Sequence, residues 1–357
     1  MLTLAPGRAA QAGTSVPDAA SLDAARSLPG TASPASRAPR IVSLLPAATE
    51  MAFALGLGDA VVGVSQECDF PLAARSRPAV VRSALPVQRM SQREIDAAVS
   101  QRLSQGQSLY EVDEALLQTL QPELVLTQDL CQVCAPSGHE LGDAMRRLTP
   151  EPAVLTMTPH TLADILENLQ ALGRATGQEA AAQQLIEQYR ERLARVRAAL
   201  GPQSAYRRVF VMEWAEPIYC CGHWVPEMLA LAGGVDALAR PGQDSVRTAW
   251  QDVQRWAPEL LIVAPCGCNA QQALAQLPAL MQLPGWTSLP AVARGQVFCV
   301  DGNSYLARPG PRIVQGVELL AHLLHPQRFD WTGPADAYRA PGPAVRSDRD
   351  AIMFDAP

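Results

Sequence analysis

The feature that most narrows the fold is a stretch that occurs twice. Leu117-Gln-Thr-Leu-Gln-Pro-Glu-Leu-Val-Leu-Thr-Gln128 and Val253-Gln-Arg-Trp-Ala-Pro-Glu-Leu-Leu-Ile-Val-Ala264 each read as a helix end, a Pro-Glu turn and a short apolar run. Proline stops the helix, and an unbroken apolar run behind it suits a strand covered on both faces, as in parallel sheets. Paired cysteines follow each run at once, Cys131-Gln-Val-Cys134 after the first and Cys266-Gly-Cys268 after the second. The repeat predicts two α/β lobes of one architecture. Ligands of open α/β sheets bind beyond the carboxyl ends of the strands, so facing lobes would bring both cysteine pairs to one cleft.

The flanking sequence alternates in the same way. In the first lobe, Arg40-Ile-Val-Ser-Leu-Leu45 is a strand closed by Pro46, and Thr49 is placed to cap a helix from Glu50 to about Leu57. Val61 to Val64 and Leu124 to Thr127 are strands and Asp113 to Leu120 a helix. From Thr161 to Leu200 there is no proline and apolar residues recur at helical spacing, with a break or bend at Gly173 and Gly177. Beyond the bend, a helix of roughly 25 residues would span about 37 Å, enough to join two lobes, before stopping at Gly201-Pro202. The second set comprises strands Arg208 to Trp214, Leu260 to Ala264 and Gln296 to Val300, helices Pro226 to Leu231 and Trp250 to Trp256, and a closing helix Arg312 to Leu324. The organisation expected is a disordered leader (1–39), an N-terminal lobe (40–158), a connecting helix (159–201), a C-terminal lobe (202–330) and a tail (331–357).

Composition excludes several classes. At 357 residues and 48% hydrophobic content the chain can bury a core in each lobe. A net charge of -6 with intermixed signs offers no basic stripe for nucleic acid. No apolar run approaches the roughly 18 residues of a spanning helix. Met1 to Arg40 lacks a basic start, an apolar core and a small-residue cleavage site, so a cytoplasmic location is expected, with a periplasmic one as the alternative. There is no G-x-S-x-G elbow, Walker A loop, G-x-G-x-x-G or H-E-x-x-H, which favours binding over catalysis.

The candidate site residues fall on loops after strands. Cys131, Cys134, Cys266 and Cys268 could hold a soft metal as four thiolates, pack against a bound chelate, or be ordinary buried cysteines. Cys220-Cys221-Gly222-His223-Trp224 offers an imidazole for axial ligation or hydrogen bonding, and an indole that suits a flat amphipathic ligand. Tyr305 and Arg308, between the last strand and the closing helix, could meet an anionic or amide-bearing ligand, and Phe70 either enters the cleft or joins the core.

Several segments together resemble a known family. Arg40-Ile-Val-Ser-Leu-Leu-Pro-Ala-Ala-Thr-Glu50, Gly63-Val-Ser65, Asp69-Phe-Pro71, Pro122-Glu-Leu-Val-Leu126, Leu231-Ala-Gly-Gly234 and Pro311-Arg-Ile313 are similar to the Fe/B12 periplasmic-binding domain of cobalamin- and iron-siderophore-binding proteins that serve ABC importers. The resemblance covers about 40 to 327 and implies two Rossmann-like lobes joined by a rigid helix, in the manner of class III periplasmic binding proteins. It further implies a protein that holds a cobalamin-type corrinoid or iron chelate between the lobes and hands it to an ABC permease; a monomer is expected, with the oligomeric state left open. Phe70, Trp224 and Tyr305 resemble the aromatic residues that embrace a corrin, and Glu140 and Glu227 the surface glutamates that dock a permease. The cysteine pairs resemble a subgroup labelled cobalamin-binding without an export signal, for which a cytosolic metal or cluster protein using the four cysteines is the alternative, and an enzyme acting on a corrinoid a third reading.

Overall fold

The computed structural model describes residues 37–128, 145–201 and 206–341. The first sheet has six strands in the order β4-β3-β2-β1-β5-β6: β1 (Ile41–Ser43), β2 (Val61–Ser65), β3 (Ala79–Ser83), β4 (Tyr110–Val112), β5 (Leu124–Thr127) and β6 (Ala153–Thr156). All pair in parallel except the edge strand β4, which runs antiparallel to β3. The second sheet is built on β7 (Arg207–Ala215), β12 (Leu260–Val263) and β13 (Val297–Val300), parallel to one another. Its further members are β8 (Ile218–Cys220), antiparallel to β7, β10 (Gly234–Val235) and β14 (Tyr338–Arg339). A two-stranded pair, β9 (Gly222–His223) with β11 (Arg240–Pro241), lies apart. Helices of seven or more residues are α1 (Pro46–Ala54), α2 (Gln92–Ser104), α3 (Glu114–Leu120), α4 (Leu162–Thr176), α5 (Glu179–Leu200), α6 (Val225–Leu231), α7 (Trp250–Trp256) and α8 (Ile313–Leu324).

The repeated stretch is repeated in three dimensions. α3 and α7 both end in a non-glycine residue in the left-handed region, Gln121 (φ 42) and Ala257 (φ 49). The glutamate after each proline then accepts from the amide that opens the neighbouring strand: Arg40 N–H to Glu123 Oε2 at 2.7 Å, and Arg208 N–H to Glu259 Oε2 at 3.1 Å. Each of those arginines turns back to the spent helix, Arg40 to the Leu120 carbonyl and Arg208 to the Ala257 carbonyl, satisfying oxygens the helix end leaves over. β5 and β12 behind them are buried at every residue, which is why they read as unbroken apolar runs.

Of three details, the first and last differ from expectation, while the break in the connection falls where glycine was expected to put a break or bend. Pro46 occupies the first turn of α1, so Thr49 lies inside the helix and donates back to the Leu45 carbonyl at 3.0 Å instead of capping. The connection is two helices, α4 and a 22-residue α5 of about 33 Å, divided at Gly177, whose φ of 68 ends α4. Segment 331–341 is no loose tail. Tyr338 and Arg339 pair antiparallel with β13, and Ala337 is buried in the core. The leader up to residue 36 and the chain beyond 341 lie outside the described residues.

One apolar cluster runs from β1, α1 and β5 through α4 and α5 to α6, α8 and β12. The lobes therefore share a core along their connecting side, while two smaller clusters back the far faces of each sheet.

Candidate functional site

The parallel strands of the first sheet end at Ser43, Ser65, Ser83, Thr127 and Thr156, and the main strands of the second at Ala215, Val263 and Val300. Loops leaving these two sets of carboxyl ends meet each other in two places, so the ends face across an inter-lobe cleft.

At the first meeting place an ion knot of Glu50, Asp69, Arg308 and Arg312, in which Glu50 and Arg308 are buried and Asp69 and Arg312 partly so, joins α1 and the loop after β2 to the loop before α8. Arg312 clasps Glu50 with two bonds, Nε to Oε2 at 2.9 Å and Nη2 to Oε1 at 2.6 Å. Arg308 pairs with Asp69, donates to the Glu67 carbonyl at 3.1 Å and lies 3.6 Å from Glu50. The Glu50 side chain is 1% exposed and that of Arg312 14%. Burial pulls the Arg312 pKa down, but the bonds to Glu50 and its charge hold it above the ordinary value. The Arg312 guanidinium also lies 4.2 Å from the centre of the Phe70 ring.

The second meeting place is polar and open. Arg247 reaches both carboxylate oxygens of Asp96 at 3.0 and 2.7 Å and the Tyr219 hydroxyl at 3.0 Å. The Gln92 side chain accepts from the Ala215 amide at 2.8 Å, and Arg93 pairs with Glu216. Beside it, at the end of β7, Glu213 accepts from Ser245, and burial pushes its carboxyl up to about 7 against that bond and one from the Gly222 amide.

The sequence candidates are distributed unevenly over this arrangement. Phe70 stands at the knot, 44% exposed. Arg308 is committed to Asp69 and so is no free anion ligand. Trp224 and Tyr305 are buried and do not form an open aromatic wall, a correction with a clear cause: the Trp224 indole donates to the Leu306 carbonyl at 2.7 Å, and Tyr305 packs edge-on against Trp331 at 5.8 Å. His223 lies 3.0 Å from Asp244, and burial lowers its pKa despite that carboxylate. Glu227 is half-buried and accepts the first amide of α4, Leu162 N–H, at 2.9 Å, which is a capping position and not an exposed docking one. Cys266 is exposed at the end of β12, and Cys268 is partly buried with Gln276 donating to its sulfur at 3.5 Å. Cys131, Cys134 and Glu140 lie outside the described residues. Among the described residues no group of three or more His, Cys, Asp or Glu side chains could hold a metal, and no helix is long and apolar enough to cross a membrane.

Sequence reasoning missed Glu50, Asp96, Arg247, Tyr219 and Trp214, the last opposite Tyr219 in the β7–β8 pair with its indole donating to the Glu216 carbonyl at 3.1 Å. Of these only Glu50 left a signal, the one charged residue on a helix (Pro46 to Ala54) that is apolar but for Thr49.

Comparison with known proteins accords with this geometry. The periplasmic binding protein family profile matches residues 41–303. The chain is 25% identical over 283 residues to the vitamin B12-binding protein of Vibrio cholerae, covering 79% of this chain and 87% of that one. It is 26% identical over 302 residues to an ABC transporter substrate-binding lipoprotein of Bacillus subtilis, covering 81% of each. Among solved structures, the periplasmic vitamin B12-binding protein of Vibrio cholerae superposes with a TM-score of 0.58 at 23% identity, over 80% of this chain and 96% of that one. The apo periplasmic heme-binding protein of Roseiflexus superposes at 0.60 and 21% identity, over 81% and 99%. The chain belongs to the periplasmic binding protein family. The expected cytoplasmic location is thereby corrected: these relatives are periplasmic proteins or a lipoprotein, which points outside the cytoplasm.

Proposed function

We propose that this member of the periplasmic binding protein family captures a cobalamin-type corrinoid or an iron chelate outside the cytoplasm and delivers it to an ABC permease. The observation that carries the reading is the opposition of two sets of strand carboxyl ends, bridged at both rims, with Phe70 exposed at one and Tyr219 and Trp214 partly buried at the other. Rings at both rims suit a broad, flat, amphipathic ligand. Capture is reversible binding with no chemical step, and the lobes are 40–158 and 202–341 with the α4–α5 pair between them. Exposure of Phe70 and Cys266 supports these two sequence candidates as ligand contacts. Relatives named for vitamin B12 and heme support the ligand class.

The test is an absorption and calorimetric titration of the purified chain with cyanocobalamin, dicyanocobinamide, hemin and a ferric hydroxamate. Saturable one-to-one binding of at least one is expected, weakened by Phe70→Ala. Failure of all four to bind would overturn the reading.

A further inference from the structure

The two bridges across the cleft are built from opposite materials. The ion knot is buried at Glu50 and Arg308 and sits on α1 and beside α8, through which the shared apolar core runs together with α4 and α5. Among the described residues, the other bridge is made from the N-terminal lobe by α2. None of the 13 residues of α2 is buried, and none of residues 85–108 belongs to any of the three apolar clusters. α2 is held as a helix by its own capping box, in which the Ser91 side chain and the Glu94 carboxylate satisfy each other's amides. It needs no neighbour to stay helical at its start.

The chain leaves and rejoins the lobe at one place. Ala84 N–H donates to the Leu109 carbonyl at 2.9 Å, Ser83 pairs with Tyr110, and Leu109 is buried. Between these points the excursion turns at Gly106, whose φ of 66 and open surroundings leave it unconstrained. β4, to which it returns, is the edge of the sheet and pairs only with β3. Among the described residues, the hydrogen bonds and ion pairs that hold the tip to the other lobe are those of Asp96 with Arg247 and Tyr219, Arg93 with Glu216, and Gln92 with the Ala215 amide. Exposed pairs of this kind are weak and salt-screened, unlike the knot.

From this asymmetry we propose that residues 85–108 form a lid, which swings off the C-terminal lobe at Asp96–Arg247 while the Glu50–Arg312 side stays fixed. Ligand then enters and leaves beneath α2, with no bending of the connecting helices. The gating role rests on the capture reading above; the opening motion does not.

Hydrogen exchange of the full ligand-free chain, read by mass spectrometry, tests the motion directly. Peptides from 92–108 are expected to exchange far faster than those from β5 and β12, and faster still on going from about 0.01 to about 1 M salt. Arg247→Ala should raise their exchange about fivefold and remove most of the salt dependence, leaving β5 and β12 unchanged. Asp96→Asn should do the same from the other side of the contact. The lid is refuted if α2 exchanges as slowly as the sheets, or if neither variant alters it. With cyanocobalamin as probe, stopped-flow association should quicken in Arg247→Ala; unchanged association alongside faster exchange would refute gating. If cyanocobalamin does not bind, the association test is run with whichever of dicyanocobinamide, hemin and the ferric hydroxamate does; if none of the four binds, the capture reading and gating fail together, while exchange alone decides whether the lid opens.

Discussion

Two Arg–Glu pairs in this protein have nearly the same geometry and different burial, which allows one stability prediction to be worked in full. Arg312–Glu50 and Arg192–Glu318 are both two-bond clasps, at 2.9 and 2.6 Å in each case. In the first the side chains are 14% and 1% exposed, in the second 27% and 32%. Removing one partner of a buried pair leaves an uncompensated charge and costs about 3–5 kcal/mol, whereas a solvated pair is worth about 1 kcal/mol or less. Glu50→Gln preserves volume and hydrogen-bonding capacity while deleting the charge opposite both Arg312 and Arg308. It should therefore destabilise by at least about 3 kcal/mol, and Glu318→Gln by about 1 kcal/mol. Urea unfolding followed by circular dichroism at constant slope measures both. The double replacement Glu50→Leu with Arg312→Met should recover most of the loss, because a matched apolar pair carries no desolvation penalty. Equal losses for the two glutamine variants would show that burial is not what distinguishes the pairs, and the description of the knot as the fixed side of the cleft would fall with it.

Other consequences can be checked in the same way. Burial raises the Glu213 carboxyl to about 7 in the folded chain from an unfolded value near 4.5, so ionising it opposes folding: its contribution is intact below pH 4.5 and is lost as pH rises through 7. Glu213→Gln should thus leave the urea midpoint at pH 4.5 nearly unchanged and raise it at pH 8, by up to roughly 3 kcal/mol in stability. Ala257→Gly should stabilise by about 0.5 kcal/mol in thermal melts, since relief of the left-handed backbone exceeds the entropy glycine adds to the unfolded chain. Trp224→Phe should cost about 1–3 kcal/mol by orphaning the Leu306 carbonyl, with ligand affinity little altered, whereas Phe70→Ala should weaken affinity with little loss of stability.

The elements that were legible in the sequence are those set by local rules. Leu124–Thr127 and Trp250–Trp256 coincide with expectation residue for residue, because Pro122 and the apolar runs mark their ends without reference to anything distant. Gly177 marked the break in the connection, but periodicity alone could not say that the chain would form two helices there. The β3–β4 excursion was not read from the sequence, although Ser91 and Glu94 form a capping box and Ile95, Val99 and Leu103 a short apolar stripe, because no residue of α2 is fully buried and β4 is a three-residue edge strand. The site was the least legible part. Its contacts join residues such as Glu50 and Arg312, 262 positions apart, and no local pattern reports a pairing of that span.

The same distance explains why the aromatic candidates misled. Trp224 and Tyr305 lie on loops just past strand ends, where ligand contacts concentrate, yet both turn inward because partners supplied from later in the chain claim them: the Leu306 carbonyl for the indole, and Trp331 for the phenol ring. Trp331 falls in the segment whose composition suggested a loose tail, so the burial of Tyr305 depends on residues that appeared dispensable. Truncating the chain after residue 330 should accordingly do more than shorten it. It removes β14 from β13 and uncovers Tyr305 next to the loop that carries Arg308 and Arg312. The truncated chain should lose stability and gain Tyr305 accessibility to nitration, scored by peptide mapping. If Tyr305 stays as protected as in the full chain, the core and not the C-terminal strand is what buries it.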